Sequence, residues 1–511
     1  MLFNSYLFVA GFLPPVFGGF WIACRIGPRA AAAWLLTASL LFYGWWNPAF
    51  LVLLLASIAG NYALGALILR TGNRQRLHSA ILIFGIGANL GALAYYKYLG
   101  GVLAFLRLHS VAGPGFATPI LPLGISFFTF TQLGYLLDCW QGQVKRDPPL
   151  LHYALFVSFF PHLIAGPILH HRELLPQFAE RQAWRVDAQN VAVGSAIFLI
   201  GLLKKTLLAD PISAPVAPGF VHPELLTLFP AWHVALSYSL QLYFDFSGYS
   251  DMAIGLARMF NLRFPVNFNA PYRSESVIDY WQRWHMTLTR WLMLYLYNPL
   301  ALHLARRRAA RGLPTGMEAR RTLRGFAGMI AAPTLVTIGL AGIWHGSALT
   351  FVVFGLLHAA YLCVNHAWRL WHVGQPSTAP AARLGRVLLT YGCVLVGSVV
   401  FRAPDLSAAA QVLAGMFGVH GLMPLLPDAK AIARAGLDVL WLAGLYAIVW
   451  AAPTTQQIMR AHGPGPGRVT AGPLPRLLWQ PTLGWAVAMG CGAALALLSI
   501  GGTGEFLYFQ F

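Results

Sequence analysis

Residues 325–368 read GFAGMIAAPTLVTIGLAGIWHGSALTFVVFGLLHAAYLCVNHAW and contain no Asp, Glu, Lys or Arg. A membrane-spanning helix needs about 20 largely apolar residues, because lipid offers no water to backbone N–H and C=O groups. This stretch is long enough for two such helices joined by a tight turn. It therefore predicts a helical hairpin inside a membrane.

Apolar stretches recur along the whole chain, which is 57% hydrophobic and 10% charged, against about 25% charged residues in an average soluble domain. Residues 30–69 also suffice for two crossings. Shorter stretches each supply most of one crossing: 2–24, 77–96, 108–137, 150–171, 225–244, 387–401, 439–459 and 477–504. We predict an all-α, polytopic integral membrane protein with roughly ten to twelve transmembrane helices in a single domain, residues 1–511.

The net charge of +19 comes largely from basic loops. Residues 306–324 carry seven arginines and one glutamate, and the positive-inside rule places such loops in the cytoplasm. A second interpretation, that these arginines also meet the phosphates of a soluble substrate, stays open. The membrane topology alone explains the net positive charge, so we expect no nucleic-acid partner.

The five cysteines lie singly in apolar segments, with no CxxC pair and no metal-ligand spacing. We therefore expect neither a disulfide framework nor a bound metal.

Ionisable side chains at membrane depth cost several kcal/mol, so they survive where they face a cavity or perform chemistry. Residues 240–269, LQLYFDFSGYSDMAIGLARMFNLRFPVNFN, place Asp245 and Asp251 in an apolar run. Either carboxylate could orient a histidine, pair with Arg258 or cap a helix. A structural role is favoured, because a carboxylate in a low dielectric must first find a partner.

Residues 278–290 read IDYWQRWHMTLTR. Trp281, Trp284 and Leu288 recur at helical spacing while Arg283 falls on another face, which predicts one aromatic and basic amphipathic helix near a membrane interface. His285 lies beside the aromatic stripe. From these residues alone it is either a packing residue or a catalytic one.

His345 has no charged residue near it in sequence. A buried histidine in such surroundings stays neutral at pH 7, with one ring nitrogen able to accept a proton. A general base that activates a hydroxyl needs this property. Packing remains an equally good explanation at this point.

Four stretches together resemble the membrane-bound O-acyltransferases, in particular the bacterial branch that acts on alginate and teichoic acids. They are PHLIAGPILHHRELLPQF at 161–178, YFDFSGYSDMAIGLARMFNLRFPVNFNAPYRS at 243–274, WQRWHMTLTRW at 281–291 and GIWHGS at 342–347. The resemblance covers nearly the whole chain. It implies a ring of tilted helices around a central tunnel, with a catalytic core at about residues 120–370, where a cytoplasmic acyl thioester meets its acceptor.

The resemblance also implies residue roles. His345 would be the catalytic base and His285 its partner. The expected tunnel and substrate-binding positions are Asp245, Ser247, Asp251, Arg283, Trp284, Trp344 and His162. Two positions depart from the family pattern: His162 stands where relatives often have Gln, and Thr454 where Asn is common.

The C-terminal aromatic tail, residues 504–511, reads GEFLYFQF and is typical of this branch. In relatives an equivalent tyrosine is thought to receive the acyl group, which here is Tyr508. The alternative is that the aromatic residues of the tail only form a belt at the membrane surface.

The expected reaction uses acetyl-CoA, or another acyl thioester, as donor substrate and no bound cofactor. No GxSxG motif occurs, so we expect no serine or cysteine acyl-enzyme. The family implies O-acetylation of an exopolysaccharide such as alginate or cellulose. Its implied partners are an extracytoplasmic SGNH-hydrolase-like acetyltransferase and the polysaccharide synthesis machinery, at a bacterial cytoplasmic (inner) membrane.

Other functions stay open at this point. One is transfer of D-alanyl or another acyl group to a different envelope polymer, a lipid or a protein. Another is a transporter or flippase, in which Asp245, Asp251 and His345 would relay protons or coordinate a solute.

Overall fold

The computed structural model describes residues 1–72, 74–108, 119–372, 374, 376–423, 429–465, 469, 472–501 and 506–507. Their regular secondary structure is helical, with no strand in this part of the chain. Eight helices among them are long and apolar enough to cross a membrane, and Leu406–Met416 and Leu483–Leu498 are shorter apolar helices. The prediction of an all-α, polytopic membrane protein is confirmed. The ring arrangement, its central tunnel and the single domain stay predictions.

The eight candidate spans are Leu7–Ile26, Pro48–Arg70, Gln75–Leu103, Ala188–Ile212, Leu323–His345, Leu349–Trp371, Pro380–Arg402 and Ile432–Ala451.

The α-helices follow one another in this order: α1 (Leu13–Ile26), α2 (Pro28–Gly44), α3 (Pro48–Arg70), α4 (Gln75–Leu108), α5 (Ile125–Trp140), α6 (Leu150–Ser158), α7 (Phe160–Leu163), α8 (His171–Ala179), α9 (Ala188–Leu203), α10 (Asp210–Ile212), α11 (Val216–Val221), α12 (Leu228–Met259), α13 (Val277–Trp281), α14 (Met286–Leu292), α15 (Asn298–Ala309), α16 (Met317–Arg321), α17 (Leu323–Phe326), α18 (Ala332–His345), α19 (Leu349–Trp371), α20 (Pro380–Arg402), α21 (Leu406–Met416), α22 (Ala429–Ala451), α23 (Thr455–Ile458) and α24 (Leu483–Leu498). Short π-helical turns extend several of them: Leu7–Phe12, Lys204–Ala209, Met293–Tyr297 and Ala327–Ala331.

The chain forms two compact units. The first contains Met1–Leu207, Phe246–Val266 and Pro453–Gln510, and the second contains Leu208–Asp245 and Asn267–Ala452. The long helix α12 contributes its N-terminal part to the second unit and its C-terminal part to the first.

Glycines bring α9 and α12 into close contact within the first unit. A Cβ atom at Gly194 would lie 2.6 Å from the carbonyl oxygen of Gly255, and one at Gly201 would lie 2.6 Å from that of Gly248. Two pairs seven residues apart therefore face each other along both helices. Small residues in such register let helix backbones approach closely in lipid, where association depends on van der Waals packing.

One predicted crossing is wrong. Residues 150–171 do not form a single span, because the helix stops at Ser158 and resumes only for Phe160–Leu163. Pro161 lacks the N–H that a continuous helix would bond to the carbonyl of Val157. The chain then turns before α8, which starts at His171.

The predicted hairpin in residues 325–368 is confirmed, and glycines hold it together. The helices α18 and α19 flank a short break at residues 346–348. A Cβ atom at Gly342 would lie 2.4 Å from the carbonyl oxygen of Phe351 and 2.7 Å from the Cα of Gly355. The two backbones are therefore in direct contact one turn before His345.

This contact predicts that Gly342→Ala forces α18 and α19 apart. Overpacking of this kind lowers the free energy of unfolding by about 1–3 kcal/mol. Gly328→Ala is the matched control, because a Cβ at Gly328 in the same candidate span meets no atom within 4 Å. Thermal unfolding of the purified variants in detergent measures the difference. Equal unfolding temperatures would show that the contact is not tight.

Candidate active site

His345 is the last residue of α18, where the hairpin breaks. Its side chain is buried and packs among aromatic rings of the second unit, with centroid distances of 4.7 Å to Trp344, 5.0 Å to Phe401 and 6.0 Å to Phe354. Gly346 follows in an extended conformation, and a Cβ there would lie 2.2 Å from the Phe351 ring. The small residue after His345 therefore lets Phe351 close over the turn.

His285 also lies where a helix is interrupted. The single amphipathic helix predicted for residues 278–290 is wrong, because α13 ends at Trp281 and α14 begins at Met286. Between them His285 adopts φ +42°, a left-handed conformation that few non-glycine residues take. Surrounding contacts must hold a residue in such a state, and strained positions of this kind cluster at functional sites.

Asn267 supplies those contacts. Its Oδ1 accepts hydrogen bonds from His285 Nδ1 at 3.0 Å, Thr287 Oγ1 at 3.0 Å and Thr287 N at 3.3 Å. Two backbone hydrogen bonds, from Met286 N to Asn267 O and from Asn269 N to Arg283 O, both at 2.9 Å, hold the same two segments together. We call these contacts between Asn267 and the residues around His285 the His285 clamp. Asn267 is not among the residues predicted from the sequence, because no local pattern distinguishes it from Asn269 two residues later.

The clamp sets the tautomer of His285. The backbone N–H of Thr287 can only donate, so the Asn267 atom that faces it is the carbonyl oxygen. Nδ1 of His285 therefore carries the ring proton, and Nε2 carries the lone pair. Burial lowers the pKa of His285 to about 3, so the ring is neutral at physiological pH.

A series of ring contacts connects the two histidines inside the second unit. His345 contacts Phe354, which lies 4.6 Å from His358. His358 in turn contacts Tyr280 at 6.4 Å, and Tyr280 stacks on Trp284 at 5.7 Å. The structure therefore places His345 and Trp284, the residue before His285, at the two ends of one aromatic cluster.

Two predicted residues of the second unit, Arg283 and Trp284, come directly before His285 in the chain. Arg283 Nε donates to Asp279 Oδ1 at 2.7 Å, one helical turn earlier. The Trp284 ring contacts Phe268 edge-on at 5.0 Å and lies nearly parallel to Tyr272 at 6.2 Å.

A chain of hydroxyl groups fixes Tyr272 behind Trp284. Ser239 Oγ lies 3.0 Å from the hydroxyl of Tyr272 and 2.8 Å from that of Tyr391, which is hydrogen-bonded to Tyr446. The Tyr272 hydroxyl also donates to the backbone carbonyl of Ser239 at 2.8 Å. These residues come from four separate segments, so sequence reasoning had no signal for them.

Asp251 belongs to the first unit and has a structural environment. Its carboxylate accepts from Lys204 Nζ, Thr455 Oγ1 and Gln456 Nε2, each at 2.6 Å. It therefore neither caps a helix nor pairs with Arg258. These contacts give the carboxylate three partners in the first unit, and its place on the substrate path stays a prediction.

The other predicted residues are buried outside the His285 clamp. Asp245 and Ser247 lie on α12, and the ring of His162 contacts the backbone carbonyl oxygen of Phe156 through Nε2 at 2.9 Å. Thr454 starts α23 with a capping box that it shares with Gln457. Tyr508 and most of the C-terminal tail lie outside the described residues.

Several known proteins are similar to this chain over most of its length. The profile of the membrane-bound O-acyltransferase family matches residues 120–315. A peptidoglycan O-acetyltransferase of Helicobacter pylori is 38% identical, over 83% of this chain and 81% of its own length. A probable alginate O-acetylase of Azotobacter vinelandii is 37% identical, over 82% of this chain and 78% of its own.

A more distant relative is a teichoic acid D-alanyltransferase of Bacillus subtilis, 26% identical over 55% of this chain and 68% of its own length. The matched profile contains the His285 clamp, and the longer alignments extend well beyond it. The chain therefore belongs to the membrane-bound O-acyltransferase family and is an acyltransferase.

Proposed function

We propose that this enzyme takes an acetyl group from acetyl-CoA on the cytoplasmic side of a bacterial inner membrane and passes it on for O-acetylation of a polysaccharide outside the cell membrane. Two relatives that are 38% and 37% identical are named for O-acetyl transfer, whereas the D-alanyl relative is 26% identical. The higher sequence identity to the O-acetyl enzymes favours an acetyl group over a D-alanyl group as the group transferred. The polymer is an envelope or extracellular polysaccharide, such as peptidoglycan or alginate.

The observation that carries the proposal is the clamped His285, in the same compact unit as His345. Asn267 holds the proton on Nδ1 of His285, so Nε2 can accept a hydrogen bond from a hydroxyl group. This neutral ring orients the acceptor. His345, at the end of its helix, acts as the general base.

In the proposed reaction, His345 accepts and returns one proton while the acetyl group moves from sulfur to oxygen. His345 takes the proton of the acceptor hydroxyl while the hydroxyl oxygen attacks the thioester carbonyl. The tetrahedral intermediate collapses, the carbon–sulfur bond breaks, and the proton on His345 passes to the departing thiolate. The products are an acetyl ester and free coenzyme A.

We further propose that the acceptor is the phenol of Tyr508 and that an extracytoplasmic SGNH-hydrolase-like acetyltransferase carries the group to the polymer. A phenol has a pKa of about 10, so its ester is cleaved more easily than that of an ordinary alcohol. Much of the transfer potential of the thioester is thereby kept. Asp245, Ser247, Arg283, Trp284, Trp344 and His162 stay candidates for the walls of the substrate path.

His345→Ala should lower acetyl transfer by at least about 100-fold, because it removes the general base. The assay is release of thiol from acetyl-CoA by purified protein, together with polymer O-acetylation in membranes. His303→Ala, an exposed histidine of the same unit, is the matched control. Full activity of His345→Ala would remove it from the base role. A wild type that moves solute without releasing thiol would identify a transporter instead.

Asn267→Leu should lower turnover by about 100-fold, because His285 loses its orientation. Asn267→Asp tests the same contact through pH. A carboxylate beside the ring raises the pKa of His285 from its low value, so activity should fall as the pH drops through that raised pKa. In the wild type His285 stays neutral across the same range. Identical pH profiles would show that Asn267 only packs.

Tyr508→Phe keeps the aromatic ring and deletes the hydroxyl group. We expect polymer O-acetylation to be lost, and mass spectrometry to find an acetylated C-terminal peptide in the wild type alone. Tyr95→Phe, at an exposed tyrosine, is the control. Unchanged polymer acetylation in the Tyr508 variant would exclude an acyl-tyrosine carrier while leaving the role of His345 intact.

A further inference from the structure

Three ligand-type side chains converge in the first unit, among residues that the proposed reaction does not use. Asp138 lies in the last turn of α5, and His170 and His171 lie at the start of α8. The Oδ2 atom of Asp138 is 2.7 Å from His171 Nε2 and 3.0 Å from His170 Nε2. One ligand atom from each residue lies within 4.8 Å of the other two.

We propose that Asp138, His170 and His171 bind a divalent transition-metal ion of the Zn²⁺ class. Two imidazole nitrogens and one carboxylate oxygen, with water in a fourth position, form a donor set that zinc accepts. Zinc bonds to these atoms are about 2.0–2.2 Å long, which puts tetrahedral ligand atoms about 3.3 Å apart. The two distances from Asp138 Oδ2 to the histidine nitrogens, 2.7 Å and 3.0 Å, need to lengthen by only a fraction of an ångström.

Burial distinguishes this cluster from a chance surface grouping. Asp138 is 2% exposed and His171 is buried, whereas His170 is 16% exposed and gives the ion a way in from solvent. The His171 ring is fixed by an edge contact with Tyr135 at 5.8 Å and by the neighbouring His170 ring at 4.6 Å. Asp138 also lies at the C-terminal end of its helix, where the helix dipole favours a cation.

The ring protons can be accounted for. In the structure, His170 Nδ1 accepts a hydrogen bond from the Arg172 backbone N–H at 3.2 Å, so Nε2 carries the proton and donates to Asp138. Metal binding at Nε2 moves that proton to Nδ1 and gives up the long cap bond. His170 thereby exchanges its two hydrogen bonds, to Asp138 and from Arg172, for one metal–nitrogen bond, and no net proton is released from it.

The ion would join the end of α5 to the start of α8. These two helices are separated by a chain segment that contains Lys145 and Arg146, and Arg172 follows the histidines. By the positive-inside rule this places the site on the cytoplasmic side. The helix α8 has only nine residues and contains Pro176, so an anchor at its first residue would order the start of a helix that is weak by itself. The expectation of no bound metal rested on the spacing of the cysteines, which are not part of this cluster.

The test uses the full chain in detergent, purified through a tag without histidine. We expect about one zinc per chain by elemental mass spectrometry, visible absorption bands of tetrahedral Co²⁺ after exchange, and a lower unfolding temperature after treatment with EDTA. A wild type with no bound metal, no Co²⁺ bands and no response to EDTA would overturn the proposal.

Variants locate the site. His171→Ala and Asp138→Asn should abolish the Co²⁺ bands or weaken binding by at least about 100-fold. His170→Ala, at the most exposed ligand, keeps the test valid if a buried variant fails to fold. His222→Ala is the matched control, since its histidine lies 3.6 Å from Glu224 on the surface. Equal metal content in His170→Ala and the wild type would also contradict the proposal.

Discussion

A polar side chain buried away from water must find its hydrogen-bond partner within the protein. Asp251 meets this constraint with three donors at 2.6 Å, and Asn267 meets it with three donors on one oxygen. Asn61 and Asn89 bond to each other across α3 and α4. Each cluster fixes the position of the backbone around it, because its members cannot turn to solvent.

The candidate histidines occur where helices stop. His345 ends α18, and His285 occupies a left-handed residue between α13 and α14. A helix interior points side chains in directions set by its own geometry, whereas an interruption allows contacts from another segment to set the direction. The glycine contact of α18 with α19 and the clamp of Asn267 are those contacts. The fold thus orients both rings before any substrate binds, as preorganised catalysis requires.

The two compact units carry different kinds of buried polar residues. In the second unit, His345 packs among aromatic rings, and His285 is held by the neutral side chain of Asn267. In the first unit, Asp251 is paired with Lys204, and Asp138 is bonded to two histidines. Acyl transfer through a neutral base fits the former environment, and structural anchoring or metal binding fits the latter.

The sequence by itself determined the fold class, because the need for about 20 apolar residues per crossing is a local property that composition reveals. Its motif stretches also identified the family and pointed to His285 and His345. Only the tertiary structure decided where helices break and which polar groups meet. Residues 278–290 have helical spacing throughout, yet the helix stops because of Asn267, 18 residues before His285. The partners of Asp251 lie 47 to 205 residues away, and such pairings follow from helix packing, which local sequence patterns do not encode.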